Sequence, residues 1–200
     1  MAPRNERGSA LLVTLLTTVL MAGLAGGLAI TVMTEEAIEA NHRRAVAGLY
    51  AADAMLARAV SEVAGRPRWQ SLLDGTVPSA LRVGPAVRTL ADGSSVDLAR
   101  VTKALQRELD RARGDGVPRW RLYAWGWRGD LVTGSSHDRL LLVAAWVRGG
   151  IGGGAPRDDA EERIVVRAAA FGPFGTRRAV EAALGRGPDA VRLVAWDLDR

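Results

Sequence analysis

From Ser9 to Thr34 the chain carries no charged residue, and from Glu35 to Ala64 the pattern changes to regularly spaced apolar positions among polar ones. Ala45, Leu49, Ala52, Leu56, Ala59 and Val63 step by alternating fours and threes, which places them on one helical face. Between Glu35 and Ala64 there is no Pro and only Gly48. The pattern therefore predicts one helix over 9–64, about 84 Å long at the standard rise, with a uniformly apolar first half and an amphipathic second half. The patch Gly23-Leu24-Ala25-Gly26-Gly27 is expected to loosen it locally.

The remaining pattern is short and broken. Residues 65–95 carry Gly and Pro at intervals that predict a loop-rich connector. Asp97 is placed to N-cap a helix whose Leu98, Val101, Leu105 and Leu109 share a face, with Gly114 and Gly116 ending it. Strands are predicted over Trp120–Trp127, Arg139–Val147, Arg163–Phe171, Arg177–Leu184 and Val191–Trp196. Their short connections imply an antiparallel meander, one face of which packs on the outer half of the long helix through Leu49, Leu56 and Val63. Alternation along "WRLYAWGW" puts Tyr123, Trp125 and Trp127 on one strand face and Trp120, Leu122 and Ala124 on the other, chiefly as core. The fold class is α+β: a long N-terminal helix on an antiparallel sheet of about four to five strands. The organisation is 1–8 as a leader, 9–34 as the membrane half of the helix, 35–64 as its amphipathic half and 65–200 as the globular head.

Charge assigns a direction to the apolar run, which is long enough to cross a hydrocarbon core of about 30 Å. Arg4 and Arg7 precede it and Glu35, Glu36 and Glu39 follow, so the positive-inside bias keeps the N-terminus in the cytoplasm and exports the rest. A cleavable secretion signal is the competing reading, with Ala10–Met21 as its apolar core and Ala25 or Gly27 near the cut. Against it, the run continues through Leu28–Met33. The spacings Gly23-xxx-Gly27 and Ala22-xxx-Gly26 suit close approach of another helix, although small residues are common in membrane helices.

Composition removes several function classes. The net charge is +5 and the pI about 10.8, but every basic residue except Lys103 is Arg, acids alternate with them, and no basic stripe interleaved with aromatics forms. Nucleic acid is not an expected partner. There is no Cys, which rules out disulfides, thiolate metal sites and a cysteine nucleophile. "GGIGGG" at 149–154 is followed by Pro156 and charged residues rather than a helix, so it reads as a hairpin loop and not a phosphate cradle. Ser135, Ser136, His137 and Asp138 are chain neighbours that point apart, and His42 stands alone beside Arg43 and Arg44. No catalytic constellation, metal site, cofactor or small-molecule substrate is expected.

The first third of the chain resembles the type IV pilin-like proteins, and more narrowly the PilX family of minor pilins. The residues that carry this are Arg7-Gly8-Ser9-Ala10-Leu11-Leu12-Val13, Glu35-Glu36, Asn41, Arg43-Arg44 and Tyr50-Ala51-Ala52-Asp53-Ala54. "FGPFGTRRAVEAALGR" and "VRLVAWDLDR" are similar, less specifically, to the closing strands of such chains. The resemblance implies a pilin fold, cleavage between Gly8 and Ser9 by the membrane aspartyl prepilin peptidase, methylation of the new N-terminus, and assembly with major and other minor pilins. It also implies a chain held in the inner membrane before assembly and in a pilus or pseudopilus afterwards. Two positions depart from the major-pilin pattern: the new first residue is Ser9 rather than Phe, and the fifth is Val13 rather than Glu. Both are similar to PilX and to the K-type tip pseudopilins of type II secretion. A buried ammonium is costly without an opposite charge, and Val13 supplies none, which favours a position at a filament end. The candidate assembly residues are thus Val13, Gly23 and Gly27.

Overall fold

The computed structural model describes residues 6–114, 116–131, 138–150, 162–187 and 191–199. Its elements are α1 (Glu6–Ala64), α2 (Gln70–Leu73), β1 (Val87–Thr89), β2 (Ser95–Asp97), α3 (Leu98–Arg113), β3 (Arg121–Trp127), β4 (Leu142–Gly149), β5 (Glu162–Phe171), β6 (Arg177–Arg186) and β7 (Val191–Asp199). The chain divides into two units, Met1–Arg43 and Arg44–Arg200.

In the first unit α1 begins three residues before the expected start, at Glu6, because nothing in Glu6-Arg7-Gly8 breaks a helix. Helical bonding continues through Gly23, Gly26 and Gly27, so the expected loosening does not interrupt it. Every side chain from Ala10 to Glu39 is exposed. Thr14, Thr17, Thr18, Thr31 and Thr34 each donate the hydroxyl proton to a carbonyl three or four residues back, at 2.8–3.1 Å. These threonine hydroxyls are thus satisfied within the helix itself, which lowers the cost of moving it out of water.

The second unit, the head, is built on a five-stranded antiparallel meander in the order β3-β4-β5-β6-β7. The α1 residues Ala51, Ala52, Met55, Leu56, Ala59 and Val63 are buried in one core with Val143, Val166, Val180 and Leu184 of the sheet. Leu49 is half-buried against it. The docked face is the expected one rotated slightly, taking in Ala51 and Met55; its alanines let the helix axis approach the strands. α3 is capped as expected: Asp97 Oδ1 accepts from Ala99 N at 2.9 Å and Arg100 N at 3.1 Å, and Gly114 ends it at φ 81°.

Three features correct the expectations. Residues 65–95 are more than a connector: Trp69 is fully buried, α2 inserts Leu72, and β1 and β2 form a hairpin around Asp92-Gly93. The opposite sheet face also carries a core, where Leu98 and Leu105 of α3 and Leu90 pack with Trp146, Val165 and Phe171. This explains why all of β4 up to Arg148 is buried, with apolar residues at successive positions. Finally, the strict alternation expected in β3 fails at a β-bulge. Leu122 pairs with Trp146 and Ala124 with Ala145, so Tyr123 is the extra residue. Tyr123 and Ala124 both join the α1-side core, while Trp120, Leu122, Trp125 and Trp127 lie on the α3 side.

Candidate functional site

The residues singled out for processing and assembly are strung along α1 and are not gathered in a pocket. Gly8 and Ser9 fall in its opening turn; their side chains, and Arg4 of the leader, lie outside the described residues. Val13 is 62% exposed. A Cβ added at Gly23, Gly26 or Gly27 would meet nothing within 4 Å. A helical glycine costs roughly 0.5–1 kcal/mol relative to alanine, and no packing within this chain requires any of the three.

Only part of the other motifs falls among the described residues. Gly149 closes β4 and Gly150 donates to the Arg163 carbonyl at 2.9 Å, whereas 151–154 lie outside the described residues. Ser135, Ser136 and His137 lie outside them too, and Asp138 is ion-paired with Arg128. His42 is exposed on α1. Among the described residues no group of three His, Cys, Asp or Glu side chains could hold a metal ion. A groove of about 730 Å³ runs between α3 and β3. Two of its polar side chains are engaged with each other and with the approach to β3: Gln106 Oε1 accepts from Trp120 N at 2.8 Å, and Gln106 Nε2 donates to Asp110 at 2.8 Å.

Most of the aromatic rings are covered by arginines of the same chain. Arg82 lies 5.2 Å from the Trp125 ring centre, Arg88 5.5 Å from Trp127, Arg148 4.8 Å from Trp120 and Arg186 4.5 Å from Trp69. Arg148 is buried, which pushes its pKa down, and it is held by Glu181 at 3.3 Å; the same carboxylate takes Arg167 at 3.2 Å. These stacks use the arginine excess in internal packing, and a sequence without an alignment gives no signal for such pairs.

One polar cluster ties α1 to the sheet. Glu62 Oε2 accepts from Ser79 Oγ at 2.6 Å and from the Tyr123 hydroxyl at 3.1 Å. Burial, and then the Glu62 charge, push the Tyr123 pKa up to about 12 from an ordinary value of 10. The folded state favours the neutral phenol. That contribution is complete below pH 10 and is lost as pH rises from 10 towards 12, where the unfolded tyrosine has already ionised. Denaturant midpoints measured across this range should fall more steeply for the parent than for Tyr123→Phe. Parallel profiles would mean that the phenol is not held as described.

The two sheet edges differ. At β3, Val83 N donates to Trp125 O at 3.0 Å and Trp125 N to Leu81 O at 3.0 Å, so segment 81–83 covers the edge. Among the described residues nothing pairs with the outer side of β7. There Leu193, Val194 and Trp196 are 61, 51 and 51% exposed, and the register shift leaves Val194 unpaired. A fifth strand was legible in the pattern; its being an open apolar edge was not. Such an edge is a template for a strand from another chain. Compared with known proteins, the chain matches no family model, no curated protein and no solved structure.

Proposed function

We propose that the protein is a minor pilin-like structural subunit that helps to initiate or cap a type IV pilus. The carrying observation is α1. Its first part is an uncharged run with its threonine hydroxyls bonded back on the helix, and its last part is docked on a five-stranded antiparallel sheet. An 18-residue window of it has a mean hydropathy of 2.1, which suits a bilayer-spanning segment, as it would a signal sequence. The glycines at 23, 26 and 27, unused within the chain, suit contact with neighbouring helices in a filament. The open β7 edge offers a second surface to a neighbouring subunit. The role is architectural: the chain binds pilins, prepilin peptidase and membrane rather than a substrate. Before assembly it sits in the inner membrane, N-terminus inside. The alternative reading is a K-type tip pseudopilin of type II secretion, which the same two departures, Ser9 and Val13, would also suit.

The deciding experiment is mass spectrometry of the mature N-terminus. A chain beginning at methylated Ser9 is expected, and Gly8→Leu should leave the full-length form in the inner membrane. A mature chain beginning near Gly27 or Leu28 would overturn the reading in favour of a cleaved secretion signal.

A further inference from the structure

α1 enters the head at Arg44 and crosses the sheet lengthwise. Near its start, the position of a Cβ on Gly48 lies 3.4 Å from Thr176 and Arg178, at the β5–β6 turn. Beyond its end, the Arg66 carbonyl accepts from Arg186 Nη2 at 2.6 Å, at the other end of β6. The end where α1 enters therefore carries the β5–β6 turn, the start of β4 and the β1–β2 turn. Three observations set this end apart.

The first is Phe174, the one non-glycine residue with positive φ among the described residues, at 58°. It occupies the turn with Gly175, φ 72°, and Thr176 N donates to Pro173 O at 3.3 Å. Turns with two positive φ values favour Asn or Gly. Here a phenylalanine is held in that conformation by Asp92 Oδ2, which accepts its N–H at 2.6 Å, and its ring is 73% exposed. A strained residue whose side chain is left in solvent points to function outside the head.

The second is apolar. Leu140 is 60% exposed at the rim of a hollow of about 240 Å³ lined by Arg44, Ala47, Arg128 and Pro173. The third is charge. Arg44 lies 4.8 Å from the Phe174 ring centre, and Arg139, Arg177 and Arg178 are exposed around the same end. The carboxylates of the head at this end are engaged: Asp138 with Arg128, Asp130 with Trp127 N, and Asp92 with Ser94 and Phe174 N. On α1 before the head, Glu39 pairs with Arg43, and the exposed Glu35 and Glu36 belong to the first unit.

We propose that this end of the head docks on an anionic lipid surface, with Arg44, Arg139, Arg177 and Arg178 meeting headgroup phosphates and Phe174 and Leu140 lying against the headgroup layer. The inference rests on reading 9–34 as a bilayer anchor. If so, Thr34 ends the span and ten residues of chain, about 15 Å as helix, lead to Arg44. The headgroup layer takes up about 5–7 Å of this. That leaves Arg44 one Debye length, ~8–10 Å, from the surface, where an anionic leaflet still attracts basic side chains. An exposed aromatic with arginines about it has the composition of an interfacial contact. The consequence is a subunit whose head is held against the membrane until assembly lifts it away.

The absence of Cys makes a single label clean. Full-length Ala91→Cys, exposed in the β1–β2 turn at the same end and leaving Phe174 and the arginines in place, is labelled with a fluorophore and reconstituted into nanodiscs. The discs are phosphatidylcholine alone, or with about a third phosphatidylglycerol, each carrying a headgroup-linked nitroxide quencher. Quenching at least threefold greater in the anionic discs is expected, reduced to the zwitterionic level by Arg177→Glu with Arg178→Glu. A label at Gln70→Cys, at the opposite end, should be insensitive to lipid charge. Equal quenching in both discs, in a chain that co-elutes with them, would overturn docking and leave the anchor reading intact. Energy transfer between labelled copies regardless of lipid charge would overturn it too, giving the surface to a second copy. Failure to enter discs at all would reject the anchor reading and this inference with it.

Discussion

Leu56→Asp is expected to unfold the head. Leu56 is 4% exposed in the core that α1 shares with Val166 and Val180. Replacing it forfeits the transfer free energy of a buried leucine, about 2 kcal/mol, and leaves a carboxyl among apolar side chains. That group either ionises unpaired or stays protonated and unsatisfied, at a further cost of several kcal/mol. Arg58 is the nearest cation along the helix, but it is already paired with Glu62 at 3.5 Å. A total loss of about 4–5 kcal/mol is comparable with the whole stability of an ordinary domain, about 5–15 kcal/mol. Trp69 and Trp146 are fully buried, so their fluorescence reports the transition directly. Ala57→Asp, one residue along on the exposed side, should change stability by less than about 1 kcal/mol. If the Leu56 variant, made in a chain beginning at Glu35, melts like its parent, then α1 does not dock on this face.

What the chain's pattern reveals and what it hides divide along a physical line. The α1 face, the α3 cap at Asp97 and the existence of five strands in the main sheet follow from helical periodicity, from short apolar or alternating runs bounded by turn residues, or from a side chain bonding its own backbone. The missed features depend on partners far away in sequence. Tyr123 becomes a bulge because its hydroxyl reaches Glu62 on α1 while Ala124 stays on the same side, and nothing within β3 announces that. Trp69 is buried because Glu162 and Arg186 of two distant strands hold it. The β1–β2 hairpin is a different case. Asp92-Gly93 between Val87 and Val96 is a turn signal, hidden by the strands being only three residues each. Gly8, Ser9 and Val13 stand apart again: their proposed partners are a peptidase and other subunits, so one folded chain has no contact with which to express them.

Val13→Glu is expected to move the protein from the end of a filament into its shaft. If processing exposes the ammonium of Ser9 in a bundle of apolar helices, that charge needs a carboxylate nearby, because an unpaired ion in such surroundings costs several kcal/mol. Val13 offers none, and between Ala10 and Thr34 the chain carries no ionisable side chain that could replace it. Copies of this protein should therefore stack poorly on one another and join subunits that do carry a glutamate at the fifth position of the mature chain. Such a subunit enters once per filament, so deleting its gene should lower the number of pili more than their length. The measurement is quantitative labelling of sheared filaments. The parent should appear at one end, at about one site per filament, and the Val13→Glu protein should appear along the shaft at many times that density. Uniform labelling of the shaft by the parent would sink the end position. The bundle would then have to accommodate the ammonium without a carboxylate at this place, for example through backbone carbonyls of the opening turn of a neighbouring α1.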